Sequence, residues 1–191
     1  MRVVAGTARG RRLVAPRGRD TRPTSDRVRE ALFNALGSLD VVDGARVLDL
    51  FAGSGALGIE ALSRGAAHAT FVERDERAVE AIWANLVATG LTDRSVVTPH
   101  EVQSWLGRRP GPGPFDLVLA DPPYAFDDWD TLLDAAAELP VEVVVIESDR
   151  AVDPGGKWLV VREKSYGSTV VSIVRRVADD TETVPTTDPE A

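Results

Sequence analysis

"RVLDLFAGSGALGIEALSRG", Arg46 to Gly65, decides how this chain of 191 residues folds. "RVLDLF" is a strand-like apolar run, and "GALGIEALSRG" reads as a helix ending at Gly65. Between them Gly53, Gly55 and Gly58 stand in G-x-G-x-x-G spacing. Such a turn lets a ligand approach bare backbone at a helix N-terminus. Glu73 follows at the end of the next strand-like run, "HATFVE". An acid there can take both hydroxyls of a ribose. Strand, turn, helix, strand and acid in that order point to an adenosine-type ligand.

Downstream the alternation continues. "DERAVEAIWANLVATG" is a helix ending at Gly90, "SVVTP" a strand, "EVQSWLGRR" a short helix and "PGPGP" a loop. "FDLVLA" is a strand, "DWDTLLDAAAEL" a helix and "VEVVVIES" a strand; "KWLVVREKSYG" and "STVVSIVRRV" read as an antiparallel pair across Gly167-Ser168. Strand–helix alternation with short connections implies an α/β, doubly wound, mostly parallel sheet covered on both faces. Upstream, "RVV" and "RRLVA" form an expected β-hairpin around "AGTARG", then the polar connector "RGRDTRP". "TSDRVREALFNALGSL" is a helix capped by Thr24 or Ser25, with Val28, Leu32, Ala35, Leu36 and Leu39 on its apolar face. The expected organisation is a basic hairpin at 1–20, a helix at 21–40, a ligand-binding domain at 41–177 and a disordered acidic tail at 178–191.

Composition is that of a soluble globular protein, 43% hydrophobic and 27% charged. With no cysteine and two histidines, neither a disulfide nor a metal is expected. The N-terminus lacks the apolar core of a signal peptide, and no segment is long and apolar enough for a membrane span. The expectation is a cytoplasmic monomer. The net charge is −8, but residues 1–30 hold nine arginines against three acids, which leaves −14 on the other 161 residues. A basic arm on an acidic body suits a polyanion such as RNA, or else docks on that body.

"LVLADPPYAFDDW", Leu117 to Trp129, is the second informative stretch. A core strand runs directly into Asp121, Pro122, Pro123 and Tyr124. Ligands of doubly wound sheets bind outside the carboxyl ends of the strands. If this strand lies beside "RVLDLF", the tetrad adjoins the glycine turn. Prolines lack an N–H and restrict the backbone, so Asp121 and the Pro122 carbonyl become fixed acceptors for two N–H groups of an amino nitrogen. Such positioning localises a lone pair otherwise conjugated into a ring. Tyr124 can stack on the base face. Phe126 and Trp129 either line that pocket or pack the loop.

The glycine stretch resembles the first motif of S-adenosylmethionine-dependent methyltransferases. A nicotinamide fold fits less well, because Asp49 and Phe51 replace the usual small apolar residues and no hydride-transfer partner is evident. The resemblance implies that Asp49 serves the methionine amino group, Gly53 and Gly55 make room for S-adenosylmethionine, and Glu73 holds the ribose. Phe51 is either core or cofactor wall. Glu101 would face the adenine amino group with Val102 against the ring; otherwise Glu101 is a helix-start carboxylate. Asp-Pro-Pro-Tyr resembles the amino-methyltransferase motif, which serves adenine, cytosine and guanine alike.

"RVVAGTARGRRLVAP" followed by "RPTSDRVREALFNAL" resembles the opening of the bacterial 16S rRNA (guanine(966)-N(2))-methyltransferase family. The likeness continues through "VLDLFAGSGALGIEALSRGA", "FVERD" and "LADPPY", and implies a Rossmann-like methyltransferase sheet. It also implies methylation of a guanine 2-amino group in small-subunit rRNA within a partly assembled particle. Arg9, Arg11, Arg12 and Arg22 become the expected phosphate contacts. Thr24 lies near the methionine end of the cofactor or caps the helix; Arg27 and Arg29 are exposed or touch phosphate. Two rivals remain at this stage: an adenine-N6 methyltransferase of DNA or RNA, and a non-catalytic nucleotide- or RNA-binding protein.

Overall fold

The computed structural model describes residues 1–16, 25–108 and 115–178. The connector carrying Arg22 and Thr24, the "PGPGP" loop and the acidic tail beyond Ala178 lie outside the described residues.

Five apolar runs become the parallel strands β1 (Arg46–Leu50), β2 (His68–Glu73), β3 (Ser95–Pro99), β4 (Leu117–Ala120) and β5 (Val143–Ser148). Then β6 (Trp158–Tyr166) and β7 (Thr169–Arg176) pair antiparallel, and β7 inserts beside β5, giving the order β3-β2-β1-β4-β5-β7-β6. Successive connections run in opposite directions from β1, to β2 on one side and to β4 on the other. The crevice beyond the carboxyl ends of β1 and β4 is therefore the switch point where such sheets bind ligands.

Alternating side chains divide the core into two layers. Val47, Leu117, Leu119, Val143, Val145, Val171 and Ile173 meet α1 (Asp26–Ser38), α2 (Ala56–Ser63) and α3 (Glu76–Thr89). Leu48, Leu50, Val118, Val144, Ile146 and Val174 meet α4 (Val102–Gly107) and α5 (Trp129–Ala137). Ser25 caps α1 by accepting from the Val28 amide at 3.2 Å.

At the N-terminus one expectation needs extending and another needs correction. The hairpin forms around the antiparallel Arg2–Arg12 bridge, with the Val3 amide donating to the Arg11 carbonyl at 3.0 Å, Gly10 to Val3 at 2.9 Å and Leu13 to Met1 at 3.1 Å. The arm's remaining backbone groups turn to buried polar groups on the body. Glu60 accepts from the Val4 and Ala5 amides at 2.8 and 3.0 Å, and the Ser63 hydroxyl from Ala8 at 3.0 Å. Asn85 binds both the Val14 amide (2.8 Å) and the Val14 carbonyl (2.9 Å), while donating also to the Ser54 carbonyl in the glycine turn at 2.8 Å. Arg29 is neither exposed nor a phosphate contact. It is fully buried, 3.5 Å from Glu60 and 2.8 Å from Asp26, and donates to the Arg2 carbonyl. Breaking a buried pair costs up to about 3–5 kcal/mol when the surviving charge loses its compensation; Asp26 keeps part of it for Arg29. The arm, α1 and α2 are thus latched together around Glu60.

Candidate active site

Beyond Leu50 the chain turns at once. Phe51 has φ +57°, followed by Gly53 at +56° and Gly55 at +75°. A left-handed phenylalanine costs on the order of 1 kcal/mol or more. Here it turns the ring outward onto Phe126, with centroids 5.3 Å apart, and Phe126 meets Trp129 edge-on at 5.1 Å. Phe51 and Phe126 line the cleft, whereas Trp129 is buried behind them and packs the loop.

Gly55 does not line the cleft, since a Cβ there would meet Ile82 and Phe71 at 3.3 Å and Ile59 at 3.4 Å in the core; Gly53 and Gly58 differ from it and from each other. A Cβ on Gly53 would meet only the Phe51 carbonyl, at 3.8 Å, so the space beside it is open to a ligand. One on Gly58 would lie 2.4 Å from Phe71 Cε1 and 3.0 Å from Asp49 Oδ2. Gly58 therefore lets α2 sit directly on β1 and β2, close enough for its amide to donate to Asp49 at 2.9 Å.

Asp49 is buried, and that burial raises its pKa well above the usual carboxylate range; the Gly58 amide opposes the rise, while Asp121 and Glu73 add to it. Glu73 accepts from the Gly53 amide at 2.9 Å and the Asp75 amide at 2.8 Å. Each carboxylate oxygen has a second lone pair, so Glu73 retains acceptor capacity for a ribose. Glu101 caps α4, accepting from Gln103 at 3.1 Å and Ser104 at 2.7 Å. Burial pushes its pKa up, but those donors, the Ser104 hydroxyl and Arg74 outweigh it and hold Glu101 below its ordinary value.

Asp121 follows β4, whose Ala120 pairs with Leu50 of β1. The two strands are therefore neighbours, and the tetrad stands beside the glycine turn. Beyond it the Phe126 amide bonds back to the Pro123 carbonyl at 2.8 Å, closing a tight turn. Tyr124 is 45% exposed, its hydroxyl 3.4 Å from that of Thr169. One cleft of about 580 Å³ joins Glu73, Glu101 and Val102 at one end, Asp49 and Gly53 in the middle, and Asp121, Pro122, Pro123 and Tyr124 at the other. Met1, Ala15 and Pro16 of the arm form part of its wall. The acids lining this cleft favour a cationic ligand.

Among the lining residues given no role from sequence are Glu147 and His100, titratable groups at the ends of strands. Glu147, 4% exposed, ends β5 one strand over from Asp121. A buried acid at a strand's carboxyl end was the available signal. His100 also lines the cleft, its ring nitrogen 3.0 Å from Arg108. Arg9, Arg11 and Arg12 are exposed on the docked arm. No group of metal-ligating side chains occurs among the described residues.

A glycine turn after β1, an acid after β2, Asp-Pro-Pro-Tyr after β4 and this strand order define a Rossmann-like methyltransferase. The family described as Conserved hypothetical protein 95 matches residues 1–175, and the chain belongs to it. YlbH of Bacillus subtilis is 39% identical over 187 residues, covering 92% of this chain and 99% of its own. Ribosomal RNA small subunit methyltransferase D of Escherichia coli K12 is 37% identical over 187 residues, covering 93% and 91%. The solved structure of yhhF from Escherichia coli superposes with a TM-score of 0.80 at 35% identity, covering 94% of this chain and 99% of that one.

Proposed function

We propose that this chain transfers a methyl group from S-adenosylmethionine to the exocyclic N2 amino group of a guanine in 16S rRNA, on small ribosomal subunits or their assembly intermediates. The observation that carries the reading is the single cleft joining the glycine turn of β1 to Asp-Pro-Pro-Tyr after β4. The name and near full-length coverage of the Escherichia coli relative support rRNA as the polymer.

S-adenosylmethionine, when bound, supplies an electrophilic methyl group on a sulfonium. Glu73 takes the ribose hydroxyls, and Gly53 admits the ligand to bare backbone. Asp49 faces the methionine ammonium, directly or through water. Glu101, fixed as the α4 cap, faces the adenine amino group, with Val102 against the ring. At the other end Tyr124 offers an exposed ring to a base taken out of its stack. Asp121 and the Pro122 carbonyl accept one N–H each, which turns the nitrogen lone pair toward the methyl. An N–CH3 bond forms as the S–CH3 bond breaks, and the nitrogen then gives up a proton, to Asp121 or to water. Methylation acidifies that proton, so a strong base is unnecessary. Arg9, Arg11 and Arg12 contact RNA phosphates from an arm that is rigid because its backbone is latched to α2 and α3.

The test is transfer of labelled methyl from S-adenosylmethionine to small subunits isolated from a strain lacking the gene, with duplex DNA in parallel. Label in 16S rRNA guanine supports the reading. Label in adenine or in DNA, or no label with active wild-type protein, overturns it.

A further inference from the structure

The basic arm is not the only cationic segment of this acidic chain. Residues 157–176 carry Lys157, Arg162, Lys164, Arg175 and Arg176 against the single acid Glu163. Three of these cations are engaged at the end of the sheet remote from the cleft. Lys157 pairs with Asp134 at 3.0 Å and Arg175 with Glu142 at 3.3 Å, and Arg176 donates to the Leu139 carbonyl at 2.7 Å. Arg162 and Lys164 are exposed, and neither pairs with a carboxylate of any described residue.

Register fixes where those two side chains point. Arg162, Lys164 and Tyr166 lie opposite Ile173, Val171 and Thr169 of β7. Residues directly opposite in an antiparallel pair share a face. Val171 and Ile173 belong to the layer under α1 and α2, so the three residues form a stripe on that face. Glu163 points the other way, where it accepts from Ser172 at 2.9 Å. Lys164 Nζ lies 5.3 Å from the Tyr166 ring centroid. Val171 also pairs with Glu147, so Lys164 stands in one cross-strand row with a cleft acid, two strands away. At about 4.8 Å per strand that is roughly 10 Å, a few nucleotides of stacked chain at about 3.4 Å each. The stripe ends at the β6–β7 turn, whose Thr169 meets the Tyr124 hydroxyl.

We propose that Arg162, Lys164 and Tyr166 form a second RNA-contacting surface, which holds the phosphates flanking the target base from the edge strand while the arm supplies the other phosphate contacts. This rests on the reading of RNA as substrate. Lys164 over the Tyr166 ring and Arg162 on the same face, neither ion-paired with a described residue and both on a stripe that reaches the base end of the cleft, match a single-stranded polyanion.

The test uses the full chain carrying R162A and K164A together, and separately K164E. Binding to a protein-free 16S rRNA transcript is measured across salt, and methyl-transfer kinetics on small subunits from a strain lacking the gene. Each phosphate contact contributes about 0.7–0.9 to the slope of log affinity against log salt, so the double variant should lose about 1.4–1.8. KM for the subunit should rise, with kcat, cofactor affinity and thermal midpoint unchanged, and K164E should weaken binding further. An unchanged slope and KM overturn the proposal. So does a defect seen on protein-bearing subunits but not on bare rRNA, which assigns the stripe to a protein contact. Wild-type protein that neither binds nor methylates the rRNA overturns the functional reading itself.

Discussion

Replacing Gly58 by alanine probes the contact on which the glycine turn depends. The added methyl would sit 2.4 Å from Phe71 Cε1, 2.8 Å from Cζ and 3.0 Å from Asp49 Oδ2. Phe71 is fully buried in β2, so its ring has nowhere to swing; α2 must lift instead. Overpacking of this kind costs about 1–3 kcal/mol, and a contact this short belongs at the upper end. Alanine's better helix propensity returns up to about 1 kcal/mol. A net loss of about 2 kcal/mol should lower the thermal midpoint by about 4–8 °C for a chain of this size. In urea the midpoint should fall by about 1 M, with little change in slope. Lifting α2 also strains the 2.9 Å bond from the Gly58 amide to Asp49. Hydrogen bonds to charged groups are worth about 1.5–3 kcal/mol, so S-adenosylmethionine affinity by calorimetry should fall at least about tenfold. A variant as stable as wild type and binding as tightly would refute the idea that α2 is held at its closest approach to β1 and β2.

Glu60→Ala leaves the buried Arg29 with Asp26 as its remaining carboxylate and frees the Val4 and Ala5 amides; it should cost up to about 3–5 kcal/mol and expose the arm to limited proteolysis. An intact arm in that variant would mean the latch lies elsewhere. Asp49 titrates well above 3.8 in the fold, so the stability of the ligand-free protein gained from its proton is complete below pH 3.8 and is lost as pH rises through the folded value. Asp49→Asn should therefore gain on wild type as pH rises across that window, in urea titrations at stepped pH, while binding cofactor more weakly; a pH-independent gap contradicts this. Asp121→Ala should keep cofactor affinity and lose most turnover in single-turnover assays, and near-normal rates would remove Asp121 from its role.

The alternation from Arg46 to Ser148 was legible because strands such as "VVVIES" are apolar on both faces and can be buried only in a covered parallel sheet. The order of the last two strands was legible in part: "TVVSIV" stays apolar, as an interior strand must, while "REKSY" turns polar, as an edge strand can. The arm's docking partners were not legible because Glu60, Ser63 and Asn85 lie 55 or more residues away, beyond any local pattern. Arg29 was misassigned on polarity alone. Its spacing to Leu32, Phe33 and Leu36 is that of a buried helical face, and its charge is tolerated there because Glu60 arrives from α2. The glycine turn and the tetrad were legible as local motifs, since each is a contiguous stretch of sequence. What only coordinates supply is that they share one cleft, with Glu147 and the arm in its wall.

Nucleoside mass spectrometry of 16S rRNA, recovered from gene-deleted small subunits after incubation with this protein and S-adenosylmethionine, tests the central claim most directly. N2-methylguanosine is expected at a single site, and absent when Asp121→Ala replaces the wild-type protein. Methyl on adenine N6 or cytosine, or no new modified nucleoside, would contradict it.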